Sequence, residues 1–248
     1  METGLKHKTV LITGASRNIG RVTALAFARE GANLALCTSS KLDELRAVAE
    51  ACRALGAEVI AEACDVSDGK AVVAFVSRAR EHFGGVDVAV NNAVYRAESK
   101  GKGFLDQPFA MWTRSLEVNL TGPYHVCRAV LPDMIARGWG RIINFSGIAP
   151  FLGGGVAKST AKLGIVGLTR GLAREFAEHN ITANCVGPGT IEVERDAFQN
   201  QKGVRTSQPI QRMGTQPEVA ELVVYLASTQ AAFITGQCYL VNGGMYFQ

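Results

Sequence analysis

Val10-Leu11-Ile12-Thr13-Gly14-Ala15-Ser16-Arg17-Asn18-Ile19-Gly20 reads as an apolar strand, a glycine-bearing turn and the opening of an amphipathic helix. A turn of this kind presents backbone N–H groups at the positive end of a helix, where they can meet a pyrophosphate. Glycine in a strand-to-helix turn also serves packing alone. Here the turn follows an apolar strand at the start of the chain and opens an amphipathic helix, which favours a nucleotide site.

Outward from this unit the same rhythm repeats. Short runs rich in Val, Ile and Leu alternate with longer amphipathic stretches, the pattern of a parallel sheet covered on both faces. Strands are predicted at Thr9 to Thr13, Asn33 to Thr38, Glu58 to Ala63, Val86 to Asn91, Gly140 to Phe145, Thr182 to Val186 and Cys238 to Val241. Helices are predicted at Ile19 to Glu30, Lys41 to Leu55, Asp68 to Phe83, Met111 to Arg137, Ser159 to His179 and Pro217 to Leu226. Gly31, Gly56 and Gly84 fall where left-handed helix caps belong. The expected architecture is α/β: one doubly wound Rossmann domain over residues 1–248 with a seven-stranded parallel sheet. Thr190 to Gly214 breaks the periodicity after a strand's carboxyl end, the place of a substrate-covering loop.

Composition narrows the function classes. The 248 residues are 47% hydrophobic and 19% charged, ordinary for a domain with a substantial core. The net charge of +4 is dispersed, with no basic run to mark a nucleic-acid or anionic-membrane surface. The six cysteines have no metal-ligand spacing, so no metal site is expected and the thiols read as reduced. The N-terminus lacks the apolar core of a signal peptide, and no apolar run is long enough to span a bilayer. A cytoplasmic protein is the expectation.

The chain resembles the short-chain dehydrogenase/reductase family, and most of all its 3-oxoacyl-carrier-protein-reductase-like members. The resemblance rests on Thr13-Gly14 with Gly20, Asp65-Val66, Asn91-Asn92-Ala93, Asn119, Lys162, Pro188-Gly189 and Val241-Asn242-Gly243-Gly244, in order along nearly the whole length. It implies a nicotinamide cofactor held by Gly14, Ser16, Arg17, Asn18, Ile19, Gly20, Thr38, Ser39, Asp65, Val66, Asn92, Ala93, Lys162, Pro188, Gly189 and Ile191. Asn18 stands for a family glycine and is the residue type that best tolerates positive φ. Val94 stands for another glycine and adds bulk beside the cleft.

Cofactor choice turns on the end of the second strand, where a family Asp would accept hydrogen bonds from the adenosine ribose and repel a 2′-phosphate. Thr38 occupies that position. Arg17 can pair with a 2′-phosphate and Ser39 can donate to it, so NADP(H) is favoured over NAD(H). The alternative for Arg17 is a solvated surface side chain.

The family's hydride chemistry uses a tyrosine proton donor, a lysine, a serine and an asparagine. Asn119 and Lys162 match the pattern, whereas Lys158 stands one helical turn before Lys162 in place of the tyrosine and Gly147 in place of the serine. Ser146 could substitute if its loop shifted by one residue, and the loop between Gly147 and Lys158 is shorter than the family pattern. The candidate catalytic set is therefore Asn119, Ser146, Lys158 and Lys162. Lys158 is either an amine of lowered pKa able to serve as acid, base or imine former, or a solvated side chain without chemistry. Tyr95 could reach the cleft, and Tyr124 reads as packing. Val193 stands where a family threonine would touch the cofactor, and Thr190 could replace it. Phe104, Trp112, Phe151, Leu152, Phe198 and Met213 could line an apolar substrate pocket.

Two functions remain open: an NADP(H)-dependent oxidoreductase of a small carbonyl or alcohol with an atypical proton relay, or a catalytically silent NADP(H)-binding homologue acting as a sensor or structural partner. The resemblance also implies a homotetramer built on the helices Met111 to Arg137 and Ser159 to His179, where Ala161, Gly164, Gly167 and Gly171 permit close approach.

Overall fold

The computed structural model describes residues 2–96, 103–193 and 208–247. Its sheet has the strands β1 (Thr9–Thr13), β2 (Asn33–Thr38), β3 (Val59–Ala63), β4 (Val88–Asn91), β5 (Gly140–Phe145), β6 (Ile181–Pro188) and β7 (Cys238–Val241). All seven run parallel in the order β3-β2-β1-β4-β5-β6-β7, the doubly wound arrangement expected.

Side-chain alternation along β1 shows how two cores arise. Val10 and Ile12 join one cluster with Phe27 of α1 (Asn18–Arg29), Val48 of α2 (Leu42–Arg53) and Val223 of a later helix. Leu11, between them, joins the opposite cluster with Phe75 of α3 (Gly69–Phe83) and other helical residues. Period-2 alternation with both faces apolar requires helices on both sides. The chain reversal at β1, between β2 and β4, opens a crevice at the carboxyl ends of the strands, where ligands bind in such sheets.

The predicted helix Met111 to Arg137 is not one regular element. It divides into α4 (Phe109–Leu116), a π-helical turn (Glu117–Thr121) and α5 (Gly122–Arg137). Pro123 has no N–H to give the Asn119 carbonyl, so the α-helical ladder fails there and Gly122 donates instead to Glu117, an i→i+5 bond. The helix expected from Ser159 begins earlier, as α6 (Val156–Phe176), and ends in a 3₁₀ turn at Ala177–His179. The last helix, α7 (Gln216–Ala227), carries a capping box in which Thr215 and Glu218 satisfy each other's backbone N–H groups. No helix among the described residues is long and apolar enough to cross a membrane.

The loop expected over residues 190–214 is described only at its two ends, which an Ile191–Gly214 bridge holds together. Phe198, offered above as a pocket residue, lies outside the described residues.

Candidate functional site

A cleft of about 320 Å³ opens at the carboxyl ends of β1 to β4. Gly14, Ser16, Arg17, Asn18, Ile19 and Gly20 form one wall. Thr38 and Ser39 lie at the end of β2, Asp65 and Val66 follow β3, and Asn92 and Ala93 follow β4. These predicted residues come from four separate segments and meet in one place. The arrangement suits an anionic nucleotide by its own chemistry: the N-terminus of α1 has no side-chain cap, which leaves its first N–H groups available to a phosphate.

The turn is held open by packing. A Cβ on Gly20 would lie 2.2 Å from the Gly14 carbonyl oxygen and 2.5 Å from Asn92 Nδ2, so only glycine fits. Asn18 adopts φ of 51°, as its side-chain type allows. Asn92 Nδ2 donates to the carbonyls of Thr13 and Gly14 at 3.0 and 2.9 Å, while Thr13 Oγ1 accepts from the backbone of Asn92 and Ala93 at 3.1 and 3.0 Å. The Asn92 amide thus fastens β4 to the phosphate turn.

At the end of β2, Thr38 is buried with its hydroxyl 3.4 Å from that of Ser16. Ser40 and Lys41, which sequence reasoning missed, also line the cleft. Arg114 of α4 was missed as well: it donates to Asp65 at 2.6 Å and to Ser67 at 2.5 Å. Desolvation alone would raise the Asp65 pKa, but the hydrogen bonds from Arg114 and Ser67 outweigh it and hold the carboxyl below its usual range.

Asn119 lies fully buried in the π turn. Its side chain accepts from Tyr95 N at 3.0 Å and donates to Tyr95 O at 3.1 Å, pinning the loop after β4. Tyr95 is half-buried in the cleft wall beside Val94, Arg96 and Val193. Tyr124 is not packing: it is exposed on α5 and accepts a hydrogen bond from Arg128 at 3.1 Å, because its helix face points away from the sheet.

Lys162 is 5% exposed, and its ammonium donates to the Phe145 carbonyl at 2.7 Å. Desolvation, with smaller repulsion from Lys158 and Arg96 and an opposing pull from Cys185, lowers its pKa to about 8. Lys158, one turn earlier, is exposed as a residue, yet desolvation of its ammonium and then the charge of Arg96 lower its pKa too. Behind both, a buried chain runs from Asn91 Nδ2 to Asn144 Oδ1 (2.8 Å) and from Asn144 Nδ2 to Thr169 Oγ1 (2.9 Å), tying α6 to β4 and β5.

Not every expected residue lines the cleft: Asn119, Lys158 and Lys162 lie outside its lining residues, as do Ser146, Pro188, Gly189 and Ile191. Ser146 is buried with its hydroxyl 3.5 Å from Cys238 Sγ and donating to Gly147 O at 3.4 Å, so it faces the edge strand β7. Gly147 adopts φ of 106°, and this left-handed backbone directs the loop. Pro188, Gly189 and Ile191 sit along the β6–β7 end rather than in the cleft wall: Ile148 N donates to Pro188 O, Gly189 N to Val241 O, and Ile191 is buried. Phe104 and Leu152 are exposed, and Phe151 stacks on Tyr246 at 5.4 Å. Cys37 and Cys64, and likewise Cys185 and Cys238, come close enough to raise the Cys37 and Cys185 thiols, and all six cysteines are free thiols. No metal-binding cluster occurs among the described residues.

Comparison with known proteins agrees with this geometry. Residues 14–246 match the family described as Enoyl-(Acyl carrier protein) reductase. The chain is 37% identical over 245 residues to 3-oxoacyl-acyl-carrier-protein reductase FabG of Staphylococcus epidermidis, covering 97% of this chain and 99% of that one. Among solved structures it superposes on a short-chain type dehydrogenase/reductase from Mycobacterium marinum with a TM-score of 0.89 and 30% identity, over 98% of this chain and 97% of that one. A 3-oxoacyl-acyl-carrier-protein reductase with bound NAD from Brucella melitensis gives 0.87 and 34%, over 98% and 92%. With the parallel sheet, the glycine turn and the buried Lys162 in place, the chain belongs to the short-chain dehydrogenase/reductase family of oxidoreductases.

Proposed function

We propose that the protein is an NADP(H)-dependent oxidoreductase that interconverts a small carbonyl and its alcohol, with Lys158 as the proton donor. The observation that carries this reading is the lysine pair one turn apart on α6, with the Lys162 ammonium buried against the Phe145 carbonyl and Lys158 exposed beside it. When bound, a nicotinamide supplies a hydride to the carbonyl carbon. Lys158 gives a proton to the carbonyl oxygen, is left as a neutral amine, and regains its proton from the solvent to which it is exposed. Lys162 holds positive charge at the carboxyl end of β5, and Asn119 keeps the Tyr95 loop in place as the cleft wall. Turnover is tested by NADPH oxidation over a panel of aldehydes and ketones.

A second reading keeps the cofactor and drops the chemistry. It is favoured by Gly147, which offers no hydroxyl, and by the engagement of Ser146 with Cys238. NADPH binding without turnover across the panel would select it.

The preference for NADP(H) rests on the absence of a carboxylate at Thr38 and on Arg17, Ser39, Ser40 and Lys41 around the same end of the cleft. NADPH is expected to bind more tightly than NADH by roughly one order of magnitude, about 1.4 kcal/mol. Fluorescence titration checks this, and equal affinities refute it.

The assembly proposed is a homotetramer in a cytoplasmic setting. The small residues of α6 divide by environment: Ala161 is buried and a Cβ on Gly164 would touch Leu120 of the same chain, whereas Gly167 and Gly171 meet nothing within 4 Å. The latter pair leaves room for a partner helix. Light scattering at micromolar concentration is expected to give four times the chain mass, and a monomer mass would refute it.

A further inference from the structure

We propose that Cys185 and Cys238 form a modification site for peroxide, two opposed thiols that hydrogen peroxide converts to a disulfide joining β6 to the edge strand β7. The site stands apart from the hydride chemistry and from the nucleotide cleft.

Strand register brings the two thiols together. β6 and β7 pair in parallel with Cys185 directly opposite Cys238, and Cys185 N donates to the adjoining Gln237 carbonyl at 2.8 Å. Register partners point to the same face of a sheet, and both thiols join the small apolar cluster built on Ile165 and Val166 of α6. Neighbouring strands lie about 4.8 Å apart, inside the roughly 4.4–6.8 Å that a disulfide allows between Cα atoms. The other cysteines lack this placement. Cys37 is the register partner of Glu62, which leaves Cys64 on a diagonal of about 7–8 Å, beyond that range. Cys52 and Cys127 belong to helices on opposite faces of the sheet.

Burial sets the order of the chemistry. Cys185 is fully buried, whereas Cys238 is half-buried on the edge strand, so a molecule as small as peroxide meets Cys238 first. The Cys238 sulfur, as thiolate, attacks one peroxide oxygen; the O–O bond breaks, and the departing hydroxide takes up the thiol proton as water, leaving a sulfenic acid. The Cys185 sulfur then attacks the sulfenic sulfur. The S–S bond forms, the S–O bond breaks, and hydroxide leaves with the Cys185 proton as a second water. Two thiols are oxidised by two electrons, and one peroxide is reduced to two waters. The contact with Cys238, and then burial, holds the Cys185 thiol well above its ordinary pKa, which suits it to the second step rather than the first.

The same register makes the bond reversible. Parallel neighbours keep their Cβ atoms about as far apart as their Cα atoms, beyond the roughly 4.5 Å of a relaxed bridge, so this disulfide is strained and readily reduced. Ser146 links the pair to the candidate site. Its hydroxyl lies 3.5 Å from Cys238 Sγ, and the residue before it, Phe145, offers the carbonyl that holds the Lys162 ammonium. Closing the disulfide draws Cys238 towards Cys185 and releases the Ser146 hydroxyl.

Hydrogen peroxide treatment of the full-length protein tests this, read by thiol titration and by non-reducing peptide mapping, neither of which depends on turnover. The wild-type protein is expected to lose two of its six thiols, to yield a peptide linking Cys185 to Cys238, and to recover both thiols with dithiothreitol. Cys185→Ser should stop at the Cys238 sulfenic acid, which dimedone traps, and Cys238→Ser should lose no thiol at the same dose. If either variant fails to fold, the wild-type map decides alone. No loss of thiol, Cys238 carried on to sulfinic acid without a link, or a link between Cys37 and Cys64 in preference to this pair overturns the inference.

Discussion

Replacing Lys158 by methionine is expected to lower turnover by roughly two to four orders of magnitude, the usual worth of a positioned proton donor, with NADPH affinity nearly unchanged. Methionine keeps the length and removes the amine. Carbonyl reduction needs the protonated amine, so wild-type reduction should fall as pH rises through the lowered pKa of Lys158, and alcohol oxidation should rise over the same range. The methionine variant should lose that limb of the profile. Stopped-flow turnover from neutral to alkaline pH checks both. Activity that survives the substitution unchanged would make the lysine a bystander. Tyr95 in the cleft wall, or water, would then be the next donor, ahead of Ser146, whose hydroxyl is engaged with Cys238.

The complementary change, Lys158→Tyr, separates an eroded site from a specialised one. It should raise carbonyl reduction if the site has merely lost its tyrosine, because a phenol beside the Lys162 ammonium has a depressed pKa, and lower it if Lys158 is the acid. Adding Gly147→Ser to this variant is less informative than the sequence suggests. The Cβ would find space, its nearest neighbour being Pro188 O at 3.8 Å, but φ of 106° would strain any serine there. That strain costs about 1–3 kcal/mol and obscures a gain in activity.

Lys162→Met is expected to abolish turnover and to make the protein more stable near pH 7. The native pKa of about 8, against 10.5 for the free side chain, means that burying the ammonium costs stability. At roughly 1.4 kcal/mol per unit the penalty is about 3 kcal/mol, and the lost bond to Phe145 returns about 1, for a net gain of about 2 kcal/mol. Between pH 8 and 10.5 the unfolded chain binds more protons at this site than the native protein does, so the penalty is full at pH 7 and disappears as pH rises through that window. Wild-type stability should therefore gain on the variant with increasing pH. Urea unfolding at pH 7 and at pH 9.5 measures it. A variant that is less stable at pH 7, with the same pH dependence as the wild type, would show that the lysine is not held as a penalised charge.

Much of the molecule is legible residue by residue. All seven strands fall within a few residues of their predicted limits, since apolar runs buried on both faces have little alternative in a parallel sheet. Asn18 in a left-handed conformation, and Gly31, Gly56 and Gly84 likewise, follow from side-chain type at the end of a turn or helix. The helix from Met111 to Arg137 misled because hydrophobic periodicity does not register a missing N–H. Pro123 was the available signal for the π turn at Asn119, and it is a local one.

The sequence by itself determined the element types, the phosphate turn, the place of the two lysines one helical turn apart and the lack of an acid at Thr38, all of which depend on neighbours a few positions along the chain. The tertiary structure alone decided which distant groups meet: Arg114 with Asp65 across 49 positions, Asn119 with Tyr95 across 24, Ser146 turned to Cys238 across 92, and the charge of Arg96 brought to bear on Lys158 and Lys162. Those contacts fix charge, burial and pKa in the cleft. They arise from the crossover connections and sheet order that stack separate segments at one edge, which periodicity within a segment does not encode.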